Sequence, residues 1–247
     1  MGKAEGALAT LSLFLAWQVA ALAVQAPVLP GPLAVLAAFV QALPRGLLWH
    51  TAVSAWRVIA SILIAVGLAA PIGLVLGQIK RLDVVAAPLI YITYPIPKIV
   101  LLPIVLLFLG IGESSKIFII ALILFFQVLV VVRDASSGVR PELIYSVRSL
   151  GARRRQLLRY VYLPACLPAI LTALRVSTGT AVAVLFFAES FATNSGLGYY
   201  ILVEGWGRLA YPEMYSGVMA MSLLGFAIYL ALDWLERRLC GWVQLGK

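Results

Sequence analysis

The chain has 247 residues, of which 63% are hydrophobic and only 12% charged, with a mean hydropathy of +1.02. Soluble domains are roughly 45–50% apolar, so this composition excludes a soluble globular fold and implies an integral membrane protein. A formal net charge of +9 would suggest nucleic acid as partner of a soluble chain. In a membrane chain, excess Lys and Arg instead marks loops on the cytoplasmic side, so no nucleic-acid partner is expected.

The first apolar run, residues 7–26, has about the 20 residues that a helix needs to cross the hydrocarbon. Ala21-Leu22-Ala23 resembles a signal-peptide cleavage site, but the expectation is a retained first span. Leu29-Pro30-Gly31-Pro32 then breaks the helix, and residues 32–50 read as an amphipathic surface segment ending near Arg45 and Trp49. The second span, 51–76, is interrupted by Pro71 and carries Arg57 near its outer end, where the side chain is expected to snorkel to the interface. A basic turn at 78–83 leads to the third span, 84–109, which holds Pro88, Pro95, Pro97 and Pro103. Backbone groups freed by proline in lipid need a partner, so this span is expected to be buried in protein or to line a watery path.

Residues 110–116 read as an outer loop and 117–132 as a fourth span. Pro141 opens a short helix in its first position, with Leu143, Ile144, Val147 and Leu150 on one apolar face at helical spacing. Gly151 falls where a left-handed cap would turn the chain. A basic helix from Arg153 to Tyr162 is expected to stop at Leu163-Pro164. Two short helices with a glycine elbow, polar among apolar spans, suggest a docking device for a soluble partner. The fifth span, 165–188, holds Arg175 and a small-residue cluster, Ser177 to Thr180. Residues 189–213 read as an outer loop with a polar turn at Asn194-Ser195-Gly196, and 214–235 as the sixth span.

With the amino terminus inside, thirteen of the 19 basic residues, from Lys3 through the 133–164 loop to Lys247, are cytoplasmic, against Arg45, Lys116 and Arg208 outside. That bias places both termini in the cytoplasm. His50 has no partner cluster in the sequence, Cys166 and Cys240 lack metal-ligand spacing, and neither a catalytic nor a metal site is expected. No Walker-type glycine loop is present, so energy for uphill transport must come from a partner or an ion gradient. Glu189 is the one acid near a span suited to ion coupling, and this scarcity disfavours an ion-coupled secondary carrier, the alternative class.

Three ionisable residues are candidates for the path. Lys98 follows the Pro95-Ile96-Pro97 break, and a cation there costs about 2.5–3.5 kcal/mol on insertion scales. An anionic substrate would account for it; so would a carbonyl freed by the break. Arg175 can snorkel inward, and Glu189 can serve as a gate or as an ion pair with Arg57.

The loop resembles the signature of binding-protein-dependent ABC importer permeases: Glu-Ala-Ala, three residues, Gly, nine residues, Ile-x-Leu-Pro. The matching positions are Tyr145-Ser146-Val147, Gly151 and Val161-Tyr162-Leu163-Pro164. The Gly and Leu-Pro spacing is intact; Tyr145 stands where the family has glutamate, with Glu142 one turn earlier. Pro95-Ile96-Pro97-Lys98, Leu109-Gly110-Ile111-Gly112-Glu113 and Asn194-Ser195-Gly196-Leu197-Gly198-Tyr199 look like the nitrate, sulfonate and taurine branch.

The resemblance implies an all-α, six-span type I permease in the bacterial inner membrane, without enzymatic activity or bound cofactor. It implies work as a dimer, a homodimer by expectation, with two ATPase subunits that hold ATP and Mg, and with an extracytoplasmic solute-binding protein. Glu142, Leu143, Ile144, Ser146, Val147, Leu150 and Gly151 would then couple to the ATPase. Pro95, Pro97, Lys98, Arg175 and Glu189 would belong to the path or gate, and Asn194, Ser195 and Gly196 to the binding-protein contact or outer gate. The implied substrate is a small oxyanion such as nitrate, a sulfonate or taurine, with a thiamine precursor or another small organic solute as the alternative.

Overall fold

The computed structural model describes residues 3–191 and 193–244, so Lys247 lies outside the described residues. All regular elements among the described residues are helical: α1 (Lys3–Val24), α2 (Pro32–Ala42), α3 (Leu47–Gln78), α4 (Lys80–Thr93), α5 (Leu102–Leu109), α6 (Glu113–Ser137), α7 (Pro141–Ser149), α8 (Arg154–Leu157), α9 (Leu163–Ser190), α10 (Leu197–Tyr199), α11 (Tyr211–Leu239) and α12 (Gly241–Gln244). Among them, α3, α6, the run Arg154–Ser190 and α11 are long and apolar enough to cross a membrane. A further pair, Lys80–Thr93 with Lys98–Leu109, is bent by 79° at its break. The apolar part of α1, Leu11–Val24, is shorter.

Single prolines do not break these helices: Pro71, Pro88 and Pro168 each lie inside a continuous one. Pro95 and Pro97 remove two N–H donors within three residues, and the helix does break there. Pro103 then sits at the start of α5, where a missing N–H has no helical partner to lose.

The basic helix does not stop at Pro164, contrary to the sequence expectation. α8 passes through a π-helical segment, Leu158–Tyr162, into α9, making one 37-residue run from Arg154 to Ser190. The wider π turn re-registers the hydrogen bonds just before the proline.

The chain forms two compact units, Met1–Ala55 with Glu189–Leu224 and Trp56–Ala188 with Gly225–Lys247. In the second unit, Ala69, Leu74, Val128, Val132, Cys166, Ile170 and Leu232 share one buried cluster. α3 approaches α6 closely through Gly73 and Gly77. A Cβ on Gly73 would sit 2.9 Å from the Val132 side chain, and one on Gly77 would sit 2.6 Å from the Arg133 carbonyl oxygen. Small residues four apart let the backbones meet, and Ser136 Oγ donates to the Leu74 carbonyl at 3.0 Å across that contact.

Two basic residues are placed differently from expectation. Arg57 does not snorkel to the interface: it is 1% exposed and its Nε donates to Glu113 Oε2 at 2.8 Å. Lys116 is not in a loop, because α6 starts at Glu113 and buries it. A buried guanidinium needs a counter-charge, and the acid at the start of α6 supplies it for Arg57 while favouring the helix dipole.

In the first unit, Trp17 Nε1 donates to the Pro30 carbonyl at 3.1 Å. The stretch expected as an open loop, 189–213, is largely helical from Leu197 to Arg208. Gly205 lets it pack on α11, since a Cβ there would lie 2.6 Å from Met214 Cα.

Candidate functional site

Three groups of side chains carry the chemistry. In α7, Pro141 occupies the first turn, and Gly151 just beyond has φ +83°, a left-handed geometry open to glycine without a Cβ penalty. Its N–H donates to the Arg148 carbonyl at 3.0 Å. This helix exposes apolar side chains among polar ones: Leu143 is 51%, Tyr145 67% and Leu150 86% exposed. Val147 is half-buried, Glu142 and Ser146 are exposed, and Ile144 turns the other way to line a cavity with Arg148.

The second group is the break after α4. Pro97 has no N–H for the Thr93 carbonyl four residues back. Lys98 Nζ takes that role, donating to Thr93 O at 3.0 Å, to Tyr94 O at 3.2 Å and to Ile96 O at 3.4 Å. The ammonium also lies 4.3 Å from the Phe126 ring centroid, a cation–π distance. Pro95, Pro97 and Lys98 share a cavity of about 320 Å³ with Phe126, Gln127 and Thr180. Gln127 Oε1 is buried there without a hydrogen-bond partner among the described residues. All three ammonium N–H groups thus have a carbonyl in reach, so an anion would bind by taking one of them over.

Arg175 does not line that cavity. Its Nη1 donates to Asp233 Oδ1 at 2.6 Å and lies 3.3 Å from Glu236 Oε2. This is an ion-pair cluster between α9 and α11.

The third group, in the first unit, captures three consecutive backbone N–H groups at the start of the helical stretch after Gly196. The Gly196 N–H donates to His50 Nδ1 at 3.0 Å, the Leu197 N–H to Ser54 Oγ at 2.8 Å, and the Gly198 N–H to Glu189 Oε2 at 2.9 Å. Ser54 Oγ donates in turn to Glu189 at 2.8 Å. Glu189 is fully buried, a carboxylate held by donors as a buried charge requires. Asn194 is exposed and Ser195 half-buried, so the turn shows its polar tip outward while Gly196 is pinned. Beside it, burial pushes the Tyr200 phenol up from its ordinary value, partly countered by a hydrogen bond with Ser216.

Sequence reasoning did not select His50, Ser54, Glu113, Gln127 or Thr180. A signal existed for the first two: His50, Ser54, Arg57 and Ser61 recur on α3 at spacings of four, three and four, one helical face, and all four are buried.

The family profile of the binding-protein-dependent transport system inner membrane component matches residues 65–240, which span the broken helix, the α7 elbow and all of α11. The chain belongs to this family. The permease is 35% identical over 233 residues to the taurine transport system permease protein TauC of Escherichia coli strain K12, covering 92% of this chain and 84% of TauC. It is 31% identical to the putative aliphatic sulfonates transport permease protein SsuC of Bacillus subtilis strain 168, over 89% of this chain and 79% of SsuC. A chain of the MetNI methionine ABC transporter in an inward-facing conformation shares the fold, with a TM-score of 0.65 at 20% identity, over 78% of this permease and 95% of that chain. The chain is thus an inner membrane component of a binding-protein-dependent transport system.

Proposed function

We propose that this permease forms the translocation path of an ABC importer for taurine or another small sulfonate, driven by two separate ATPase subunits that bind ATP and Mg. An extracytoplasmic binding protein delivers the substrate, and two copies of the permease enclose the path with six spans each and both termini in the cytoplasm. The observation that carries this reading is the α7 elbow inside the family-matched stretch, with Leu143 and Leu150 exposed in front of the Gly151 turn. Burying such a side chain in a groove of the ATPase stabilises by roughly 1.5–3 kcal/mol. The joint is therefore stiff enough to pull on the continuous run from Arg154 to Ser190. Substrate then passes the cavity at Lys98, and the Glu189–Ser54–Gly198 latch serves as the outer gate beside the binding-protein contact at Asn194 and Ser195.

The test is uptake of labelled taurine by cells expressing the complete operon with Gly151→Val. A β-branched residue at φ +83° is strained, so uptake falls while ATP hydrolysis becomes uncoupled or the ATPase is lost on purification. Wild-type uptake would overturn the coupling role. Competition by unlabelled alkanesulfonates but not by nitrate supports the sulfonate assignment, and the reverse pattern overturns it.

A further inference from the structure

A cavity of about 890 Å³ in the second unit lies behind the α7 elbow, lined by Lys80, Arg81, Arg148, Arg153 and Arg154 as well as Gln78. Among the described residues, no acidic side chain lines it. None of these five cations is ion-paired among the described residues, whereas Arg57, Arg133 and Arg175 each face a carboxylate. Gln78 Nε2 is buried without an acceptor among the described residues, so the cavity's unmet demand is for acceptor oxygens. Asp83, the acid nearest in sequence on α4, is already committed to Arg133.

The cavity also sits where apolar helices end. Gln78 is the last residue of α3, Lys80 the first of α4 and Arg154 the start of the run into α9. Exposed apolar surface follows Lys80 closely, at Leu82, Val84 and Val85. Cations clustered at the ends of membrane helices, next to lipid-facing apolar side chains, suit a phosphate that carries acyl chains.

We infer that this cavity binds the phosphate headgroup of an acidic phospholipid, which bridges the α3–α4 turn to Arg148, Arg153 and Arg154 and so braces the elbow against the membrane helices. Free phosphate shares the chemistry, but only the lipid also uses Val84 and Val85.

The test uses the full chain, purified with its native partners in mild detergent and exchanged into nanodiscs of phosphatidylcholine with phosphatidylglycerol. Native mass spectrometry reads the bound lipid. The wild type retains phosphatidylglycerol over phosphatidylcholine, and Arg148→Gln with Arg153→Gln lowers retention by about 25-fold, taking about five-fold for each charge removed at a membrane surface. Arg155→Gln with Arg159→Gln, which removes the same charge beside the cavity but not in it, leaves retention near wild type. Equal retention in both double variants, or an equal loss in both, overturns the site. Displacement of the lipid by millimolar inorganic phosphate assigns the cavity to the free anion and overturns the lipid source. Loss of the ATPase from the Arg148 and Arg153 variant with lipid retention unchanged would make the cavity a protein-docking surface, again against the inference. A thermal melt of each variant equal to wild type certifies the fold, and single Arg148→Lys, which keeps the charge, rescues retention.

Discussion

Replacing Gly77 by alanine should loosen the contact between α3 and α6. The added Cβ would lie 2.6 Å from the Arg133 carbonyl oxygen and 2.5 Å from Ser136 Cβ. Ordinary contact begins at 3.4 Å, and a backbone carbonyl cannot rotate away, so α6 must retreat by about 0.8 Å. That stretches the 3.0 Å bond from Ser136 Oγ to the Leu74 carbonyl past hydrogen-bond reach, a loss of about 0.5–1.5 kcal/mol. Overpacking adds about 1–3 kcal/mol. Better helix propensity returns about 0.8–1.0 kcal/mol, so the net loss is about 0.5–3.7 kcal/mol. Gly67→Ala is the control: it lies on the same helix with nothing within 4 Å and gains only the propensity.

Cys166 and Cys240 are both buried in the cluster beside this contact, and a thiol-reactive dye therefore reports unfolding without any label. Burial, aided by Glu236, holds the Cys240 thiol above its ordinary value, so it is protonated and slow to react while the protein is folded. At about 2–4 °C per kcal/mol for a domain of this size, Gly77→Ala should melt several degrees below wild type. Gly67→Ala should melt at or above it. A Gly77→Ala melting temperature equal to that of Gly67→Ala would refute the close-approach argument.

Ser54→Ala leaves the buried Leu197 N–H without its acceptor and takes one donor from Glu189, costing about 1–3 kcal/mol; the dye melt should drop, and trypsin should cut sooner at Arg208. An unchanged melt and cleavage rate would show that the latch is not held by this hydroxyl. Lys98→Met removes the ammonium from the Thr93, Tyr94 and Ile96 carbonyls, so the break loses its staple and taurine uptake should fall, with Lys98→Arg retaining part of it. Unchanged uptake by a normally assembled complex would remove Lys98 from the path. Leu143→Ser with Leu150→Ser takes away about 1.5–3 kcal/mol of burial at each position, and the ATPase should co-purify at least tenfold less; equal recovery would count against the apolar face of α7 as the docking surface.

Much of the local architecture is legible from short-range pattern. The apolar runs declare a helical membrane protein, Pro141 and Gly151 bracket α7, and the paired prolines at 95 and 97 mark the break, because each depends on neighbours a few residues apart. What escaped depends on distant partners. Arg57 looks like an interfacial cation until Glu113, 56 positions later, is seen beside it. His50 looks isolated until the Gly196 N–H reaches its ring across 146 positions. Gly77 reads as one small residue among many apolar ones, and only the facing carbonyl of Arg133 gives its size a meaning. Pro164 misled for a local reason: proline normally ends a helix, but the π segment before it absorbs the missing donor.

That π segment, Leu158–Tyr162, has a further consequence. Each i+5 ring encloses one residue more than an α turn, so the helix carries a surplus residue between the elbow and the membrane. The wide turn absorbs that residue, so removing it would restore an uninterrupted α-helix with α8 on nearly its present bearing, whereas one residue added to or taken from the regular helix of α9 would swing α8 about 100° around the axis, the angle of one residue. The bearing of the elbow is thus written in residue count: the π turn can give up its extra residue without turning the elbow, but a change of one in the regular helix beyond it would turn the elbow away even if every side chain on it were kept.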